Sequence, residues 1–398
     1  MKKNQHISVA SVASLCLASA EKYNKRIAIE IYRQGKICCL TSYRLLGIRQ
    51  RQFALLLDSL GVKAGSRVLL LAENRPEWAA MWFGIALAGA ACVPVAPDSP
   101  PELINHICAN AGLSAICVSR RHASAFIGAE KRAPFDLPID HSTDFSTEHS
   151  SKHSIDPSIP LIIIDSIRAA EPEQQASPVR AEKTVISVAL NGISTELPLE
   201  EPENAAHFPP ARPDEPAAVF YSSAGAVAES VRETTVTGRQ FLESAASGRV
   251  TIFPRDRLLS TISLANSFEL SCGLLRAVAA GSLTIYPDEE LSPQQLCTAA
   301  GALKPTIILA LPGMVMEFRK KFIEPLLKTD PFYRHAMTKT LAYRRAGKKL
   351  LSALGKIIRH LEIGGDLPDD TKEFLCRIKF PYSCSSESGS GWGLSVSR

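Results

Sequence analysis

The sequence lacks several features that would identify particular classes of protein. None of its ten cysteines stands in a C-x-x-C pair, so neither a zinc site nor a small disulfide framework is indicated, and we expect reduced, mostly buried thiols. No stretch reaches the roughly 18 to 20 apolar residues that a membrane-spanning helix needs. No internal repeat is apparent. These absences favour a soluble protein without a structural metal.

A strong excess of charge of one sign is also missing. The formal net charge of +5 is mild for 398 residues, so no nucleic-acid partner is expected. Lysine and arginine are nevertheless concentrated between Arg319 and His360, with few acidic residues among them. Two interpretations of the 319–360 stretch stay open: a pair of solvated helix faces, or a surface for peripheral contact with anionic lipid or another polyanion.

The N-terminal segment has only a superficial likeness to a secretion signal. Lys2 and Lys3 precede a semi-apolar stretch, but Ser8, Ser11 and Ser14 interrupt it, and its apolar residues recur at helical spacing. An amphipathic first helix fits this pattern better. The predicted location is therefore cytoplasmic, with peripheral contact to the inner face of a membrane if the basic stretch binds lipid.

The composition is that of a folded protein larger than one domain. Hydrophobic residues make up 45% and charged residues 21% of the chain, which argues against wholesale disorder. A single core rarely grows beyond about 250 to 300 residues, so this length indicates two or more domains. We place a first α/β subdomain at 1–135, a variable insertion with one strand at 136–212, and a second α/β subdomain at 213–398.

Strand-like and helix-like segments alternate on both sides of the insertion. Between Ile27 and Val118, apolar runs such as RVLLLA and CVPVA are separated by segments with helix start signals, among them Ser42 and Pro76. After the insertion, AAVFYSS, GSLTIYP and PTIILALP resume the pattern. Buried strands that alternate with helices predict an α/β fold of two subdomains, with parallel-type sheets flanked by helices.

The insertion itself is irregular. Its one convincing strand is the apolar run LIIIDSI at 161–167. His141, His149 and His153 precede this run, but the Ser and Asp residues around them and the absence of periodicity favour a loop over a metal site.

Several stretches match one enzyme family in order along the chain. They are TSYRLL, SLGVKAGSRVLLLAENRPEWAAMWFGIALAGAACVPV, ISLANSFEL, LKPTIILALPGMVMEF and RHLEIGGDLPDD. In these stretches the chain resembles the AMP-forming acyl-CoA synthetases, adenylate-forming ligases that activate a carboxylic acid with ATP and transfer it to coenzyme A. The long-chain fatty acid branch looks closest. The resemblance implies ATP, Mg²⁺ and CoA as cofactors, and a fatty acid or another carboxylic acid as substrate.

The segment VFYSSAGAVAESVRETTVTGRQF, residues 219–241, stands where the family has its phosphate-binding loop, after a strand and before a predicted helix. The resemblance assigns nucleotide contacts to Tyr221, Ser222, Ser223, Gly225 and Ser230. Alanine and valine replace family glycines at 224 and 227, and serine replaces the lysine at 230. Glycines let backbone N–H groups approach a phosphate and lysine adds a charge-assisted contact, so the substitutions predict weakened ATP binding.

Two further stretches correspond to other parts of the family's site. In ISLANSFEL, the resemblance places Asn266 beside the acyl substrate, where relatives have histidine, and retains Phe268. Asparagine can donate and accept hydrogen bonds but cannot titrate. In EIGGDLPDD, Gly364 and Gly365 correspond to glycines that help to form the adenine pocket, and Asp366 replaces a small residue.

The stretch KFPYSCSSES resembles the family's Tyr-Gly-x-Thr-Glu motif. Ser386 and Glu387 match the threonine and the magnesium-binding glutamate, which makes both residues catalytic candidates and Glu387 the candidate metal ligand. Tyr382 is assigned to the nucleotide, although it stands one residue earlier than the tyrosine of the motif.

Relatives continue past this motif into a third subdomain and a small C-terminal domain, which carry a ribose-binding aspartate and a lysine that orients the adenylate. The 398 residues contain no counterpart of either part. Three hypotheses stay open: an acyl-CoA ligase of the long-chain type that is truncated or completed by a separate polypeptide, a non-catalytic acyl- or nucleotide-binding or regulatory module, and a basic surface protein. The substitutions favour an isolated chain without activity.

Overall fold

The apolar runs of the sequence form two sheets in the computed structural model. The structure describes residues 11–126, 158–168, 184–190, 193–197, 208, 212–223, 231–248, 250–334, 339–388 and 391–393. The α-helices are α1 (Val12–Lys22), α2 (Tyr43–Ser59), α3 (Pro76–Leu87), α4 (Pro101–Asn110), α5 (Arg120–Ala123), α6 (Gly238–Ala246), α7 (Arg276–Ala280), α8 (Pro293–Leu303), α9 (Pro312–Phe318), α10 (Glu324–Lys328), α11 (Lys339–Ala353) and α12 (Asp369–Arg377). Two π-helical segments, Glu269–Leu275 and Arg319–Ile323, and a 3-10 turn, Pro331–Arg334, accompany them.

The strands follow the predicted alternation. They are β1 (Ile27–Arg33), β2 (Lys36–Ser42), β3 (Arg67–Leu71), β4 (Ala91–Val95), β5 (Leu113–Ser119), β6 (Leu161–Arg168), β7 (Thr184–Leu190), β8 (Ile193–Leu197), β9 (Pro216–Ser223), β10 (Val231–Thr237), β11 (Arg257–Ser260), β12 (Leu283–Pro287), β13 (Ile307–Ala310), β14 (His360–Gly364), β15 (Tyr382–Ser388) and β16 (Gly391–Gly393).

Each sheet has eight strands within the described residues. The order is β16-β15-β14-β13-β11-β12-β1-β2 in the first sheet and β10-β9-β4-β3-β5-β6-β7-β8 in the second. The inner strands are parallel, whereas β2, β7, β8, β10 and β16 pair antiparallel with their neighbours. The predicted fold class, with parallel-type sheets flanked by helices, is confirmed.

Each sheet contains strands from both the N-terminal and the C-terminal half of the sequence. β1 pairs with β12 in the first sheet, while β9 pairs with β4 in the second. The division of the chain at 135 and 212 stays a prediction about folding units, and both sheets cross it. Where the sequence predicts one strand in 136–212, the structure has β6, β7 and β8, because two short runs extend the second sheet by antiparallel pairing.

A helix follows the expected phosphate segment as predicted, but a strand that the sequence did not predict, β10, precedes this helix. β10 pairs antiparallel with β9, from Val231 opposite Ser223 to Thr237 opposite Pro216. α6 begins only at Gly238, where the Thr237 hydroxyl accepts the N–H of Gln240. The β-branched run from 234 to 237 favours an extended edge strand over a helix.

Helices cover both faces of each sheet. Between the sheets, α1, α2 and α3 share one core with residues of β1, β3 and β5, and Trp78, Trp82 and Phe83 are fully buried there. α4 packs on the outer face of the second sheet, and α8, α9, α11 and α12 pack on the outer face of the first. This layering explains why the central strands are apolar on both faces.

The predicted start signals of two central helices are confirmed. The Ser42 hydroxyl accepts the N–H of Leu45 at the start of α2, and Pro76 occupies the first turn of α3. In the part of the chain that the structure describes, no helix combines the length and apolarity needed to cross a membrane.

Candidate functional site

Four neighbouring strands of the first sheet end at a common edge. β11, β13, β14 and β15 are parallel, so their last residues and the segments that follow lie side by side. We call this region the carboxyl edge. From β11 the chain runs to β12 on one side and returns to β13 on the other. Such a reversal leaves a crevice beyond the strand ends, which is where α/β proteins commonly bind ligands.

The predicted substrate residues follow β11 at this edge. Asn266 Oδ1 accepts the backbone N–H of Phe268 at 2.9 Å, and the Asn266 carbonyl accepts the N–H of Leu270 at 3.0 Å. Asn266 thereby fixes the helical turn that leads into the π-helical segment Glu269–Leu275. The buried ring of Phe268 packs against Gly364, where a Cβ would lie 2.4 Å from the ring atom Cδ1. The structure therefore brings the expected acyl segment into contact with the expected adenine segment.

The two glycines that follow this contact form a sharp turn at the end of β14. Gly365 has a φ of +143°, which L side chains rarely adopt, and a Cβ on it would lie 2.8 Å from Cγ of Pro312. The next residue, Asp366, is held by Lys372, whose Nζ lies 2.8 Å from Asp366 Oδ1. The turn therefore requires glycine at 365 for its backbone conformation and for the close packing of Pro312.

The remaining predicted site residues of the first sheet, Tyr382, Ser386 and Glu387, lie at opposite ends of β15. Ser386 and Glu387 lie at its carboxyl end, where they pair with Gly393 and Trp392 of β16. Tyr382 lies at the opposite end, beside Leu361. Its hydroxyl donates to the carbonyl of Lys372 at 3.3 Å. The structure thus brings Ser386 and Glu387 to the carboxyl edge and leaves Tyr382 about 10 Å along the strand from Ser385.

Tyr221 belongs to a separate polar cluster on the second sheet. Its hydroxyl donates to Glu233 Oε2 at 2.6 Å and accepts from Arg67 Nη1 at 3.1 Å. The Arg67 guanidinium also binds both oxygens of Glu233, at 2.8 and 3.1 Å. Burial, reinforced by the Glu233 carboxylate, raises the pKa of Tyr221 to about 12. The hydroxyl therefore connects β3, β9 and β10 in this structure.

The other candidates of the phosphate segment are only partly placed. Ser222 is exposed and lies opposite Arg232 in the β9–β10 pairing, and the backbone of Ser223 lies opposite Val231. Gly225 and Ser230 lie outside the described residues. The strands that begin and end the segment are placed, and within the described residues no hydrogen bond joins Tyr221 or Ser222 to the carboxyl edge.

A buried carboxyl group that the sequence interpretation left without a role lies directly beneath the edge. Glu269 is fully buried, and it accepts from the Ser260 hydroxyl at 2.5 Å and the Tyr286 hydroxyl at 2.8 Å. Burial raises the pKa of Glu269 to about 8, and the charge of Glu362 acts in the same direction, against the lowering effect of the two hydroxyls. Its carboxyl group is therefore predominantly protonated at neutral pH.

A buried ion pair stands beside Glu269. Arg276 and Glu362 are 2% and 1% exposed, and Arg276 Nη1 lies 2.6 Å from both oxygens of the Glu362 carboxylate. The guanidinium also donates to the carbonyl of Val250. Burial by itself would lower the pKa of Arg276, but the Glu362 carboxylate outweighs it and raises the pKa. The pair ties α7 to the strand that ends in Gly364.

One side chain connects the carboxyl ends of the two sheets. Asn74 follows β3 in the second sheet, and its Nδ2 donates to the carbonyl of Ile262 at 2.8 Å. Its Oδ1 accepts the N–H of Leu264 at 2.7 Å. Because residues 262–264 lie between β11 and Asn266, this amide fixes the start of the segment that follows β11.

Comparison with known proteins agrees with this geometry. The family described as "AMP-binding enzyme" matches residues 17–394. The chain belongs to this family.

One curated protein and two solved structures illustrate what this chain is similar to. It is 43% identical over 70 residues to the long-chain-fatty-acid–CoA ligase heimdall of Drosophila melanogaster, a stretch that is 18% of this chain and 10% of that ligase. VinN in complex with L-aspartate matches with a TM-score of 0.59 and 15% identity, over 94% of this chain and 74% of VinN. The inhibitor-bound N-terminal domain of FACL13 from Mycobacterium tuberculosis matches with a TM-score of 0.60 and 14% identity, over 96% and 76% of the two chains.

These matches carry different weight. The identities to the solved structures show the fold alone. The curated relatives are matched over 10% of their length or less. The AMP-binding fold and family are therefore established for this chain, whereas its substrate and activity are matters for proposal.

The described residues of this AMP-binding chain do not form a metal site by themselves. Among them, no group of three or more His, Cys, Asp or Glu side chains is arranged to hold a metal ion. Magnesium in nucleotide sites commonly uses one or two carboxylates together with phosphate oxygens. The backbone of Glu387 lies at the carboxyl edge, and the assignment of magnesium to this residue stays a prediction.

Proposed function

We propose that the crevice at the carboxyl edge binds a carboxylic acid and an adenine nucleotide, as in an acyl-CoA synthetase of the long-chain fatty acid type. The contact between Phe268 and Gly364 carries this proposal. It joins the segment expected to receive the acyl group to the turn expected to receive adenine. Ser386 and Glu387 end the next strand along the same edge, where a phosphate and its Mg²⁺ would need oxygen ligands.

The residues of the crevice suit binding and orientation. Phe268 offers an apolar wall to one side of the Gly364 turn. The side-chain oxygen Oδ1 of Asn266 accepts the Phe268 N–H. The side-chain amide is therefore held in place, and it offers a polar group that does not ionise. Adenylation with ATP, Mg²⁺ and CoA would further require charge neutralisation on the leaving pyrophosphate.

The phosphate segment, residues 219–241, supplies less positive charge for the leaving pyrophosphate than the family motif does. Ser230 stands where the resemblance expects lysine, and a charge-assisted contact of this kind contributes on the order of 1.5 to 3 kcal/mol. We therefore infer that the chain binds an acyl adenylate more readily than it forms one from ATP. A non-catalytic acyl- or nucleotide-binding module is the alternative, and a separate polypeptide that completes the ligase would restore turnover.

Titration calorimetry with a non-hydrolysable acyl-adenylate analogue tests the binding proposal. A panel of analogues with amino-acid, aromatic and long-chain acyl groups also distinguishes the acyl classes. We expect saturable binding by the wild-type chain, with the long-chain analogue bound most tightly. Absence of binding by every analogue would contradict the proposal.

Two glycine variants show where the analogue binds. Gly364→Ala pushes the new methyl group into the Phe268 ring, so we expect at least a tenfold loss of affinity. Gly313→Ala is the matched control, because Gly313 lies just after the neighbouring strand β13 and a Cβ there meets no atom within 4 Å. Equal affinities of the two variants would show that the analogue binds elsewhere.

A further inference from the structure

The helix α11 presents a basic face without acidic residues. Its sequence, KTLAYRRAGKKLLSA, contains no Asp or Glu. Its buried residues face the core of the first sheet: Ala342, Tyr343, Ala346, Gly347 and Leu350. After the exposed first residues Lys339 and Thr340, the exposed residues recur at the complementary helical positions: Leu341, Arg344, Arg345, Lys348, Lys349 and Ser352. One side of a helix about 22 Å long therefore faces solvent as an almost continuous positive surface.

Most of this charge is not neutralised by the surrounding chain. Arg345 is the exception, since its Nε lies 3.2 Å from Asp330 Oδ2 and its guanidinium lies over the ring of Phe332. For Arg344, Lys348 and Lys349, no ion pair with a carboxylate occurs within the part of the chain that the structure describes. As far as the described residues are concerned, these three cations are available to an external anion.

An exposed apolar side chain accompanies the cations. Leu341 is 45% exposed and precedes Arg344 and Arg345 by one helical turn. Ile357, equally exposed, follows shortly after the helix ends. Cations beside an exposed leucine suit the boundary between lipid headgroups and acyl chains, where apolar groups insert and basic groups meet anionic headgroups.

We propose that the face of α11 formed by Leu341, Arg344, Lys348 and Lys349 docks on the surface of an anionic lipid bilayer. The charge of this face is complementary to such a surface, and the helix lies parallel to it. A nucleic acid fits less well, because the face has no aromatic or amide side chain to stack on or read bases. This docking is independent of what the carboxyl edge binds.

Vesicle co-sedimentation of the full chain tests the docking surface. Vesicles of phosphatidylcholine and phosphatidylglycerol at 70:30 are compared with pure phosphatidylcholine vesicles. We expect binding to the anionic vesicles alone, and weaker binding as salt rises, because exposed charges are screened. The triple variant Arg344→Gln/Lys348→Gln/Lys349→Gln should bind about 100-fold more weakly, since each cation at an anionic surface contributes about fivefold.

A second triple variant separates this face from the net charge of the protein. Lys25→Gln/Lys36→Gln/Lys63→Gln removes three exposed cations elsewhere and should bind anionic vesicles like the wild-type chain. Leu341→Ser, which keeps the charge, should weaken binding by a smaller factor. Equal loss in both triple variants, equal binding to pure phosphatidylcholine, or no vesicle binding by the wild-type chain would overturn the proposal. The proposal would also be overturned if the triple variant Arg344→Gln/Lys348→Gln/Lys349→Gln lost binding to a DNA duplex but kept its binding to anionic vesicles.

Discussion

At the scale of single residues, the buried Glu269 makes the stability of the fold depend on pH. Its pKa in the folded chain is about 8, above its ordinary value of 4.5. Between these values the folded state holds a proton that the unfolded state has released. The free energy of unfolding therefore falls as pH rises from about 4.5 to about 8 and levels off above that, by a few kcal/mol in order of magnitude.

Glu269→Gln should remove this part of the pH dependence. The amide keeps the shape of the protonated carboxyl group and does not ionise, so its partners Ser260 and Tyr286 remain bonded at every pH. Urea unfolding at pH 5, 7 and 8.5 measures the slope. Glu289→Gln, at an exposed position, should keep the wild-type slope. An unchanged slope in the Glu269 variant would show that other groups cause it.

The Arg276–Glu362 pair predicts a second effect at this scale. Glu362→Gln leaves a guanidinium that is 2% exposed without its counter-charge, so unfolding should be easier by about 3 to 5 kcal/mol. Replacing both partners, as Arg276→Met/Glu362→Gln, should cost less than the single change. Glu373→Gln breaks an exposed pair with Arg377 and should cost at most about 1 kcal/mol in the same denaturant titration.

At the scale of single residues, the sequence indicated which residues have special roles better than it indicated which residues they contact. The resemblance assigns Gly364 and Gly365 to an adenine pocket, but the need for glycine in this structure comes from Phe268 and Pro312, which are distant in sequence. Arg276 could have been recognised as a buried charge, because it is the lone charge within the apolar run GLLRAVAA, whereas Glu362 has Arg359 and Asp366 nearby in the sequence. Their pairing depends on packing between segments 86 residues apart, which no local pattern specifies.

At the scale of elements, Asn74 couples the two sheets where their strands end. Asn74→Ala removes one donor and one acceptor and leaves the carbonyl of Ile262 and the N–H of Leu264 without them. We expect a loss of about 1 to 3 kcal/mol in the free energy of unfolding. Asn110→Ala is the control, because the exposed Asn110 amide donates to the carbonyl of His106 within its own helix and so connects no separate elements. Equal costs would show that the bridge contributes nothing.

The strand–helix alternation could be predicted because continuous apolar runs identify buried parallel strands. β10 could not be predicted in the same way. Its sequence, VRETTVT, is polar, and its extended form depends on pairing with β9. The position of Tyr382 away from the carboxyl edge likewise depends on how its strand, β15, pairs with a neighbouring strand. The register of β15 against β14, set by packing, puts Ser386 at the carboxyl edge and Tyr382 at the opposite end.

At the scale of the whole molecule, we expect binding of an acyl adenylate and its formation from ATP to depend on different parts of the chain. If the missing lysine limits ATP binding, Ser230→Lys should raise ATP affinity by about tenfold or more, through a charge-assisted contact to phosphate. Thr234→Lys adds the same charge on an exposed position of β10 and should have little effect. Calorimetric titration with Mg·ATP compares the two variants. Equal affinities would remove the assigned role of position 230.

The central claim is that one crevice at the carboxyl edge receives the acyl adenylate. Hydrogen–deuterium exchange with mass spectrometry tests it most directly, by comparing the full chain with and without the non-hydrolysable analogue. The account predicts slower amide exchange in three separate segments together: 262–270 after β11, 362–367 around the Gly364 turn, and 383–388 at the end of β15. Protection confined to other parts of the chain, or no change at saturating analogue, would contradict the account.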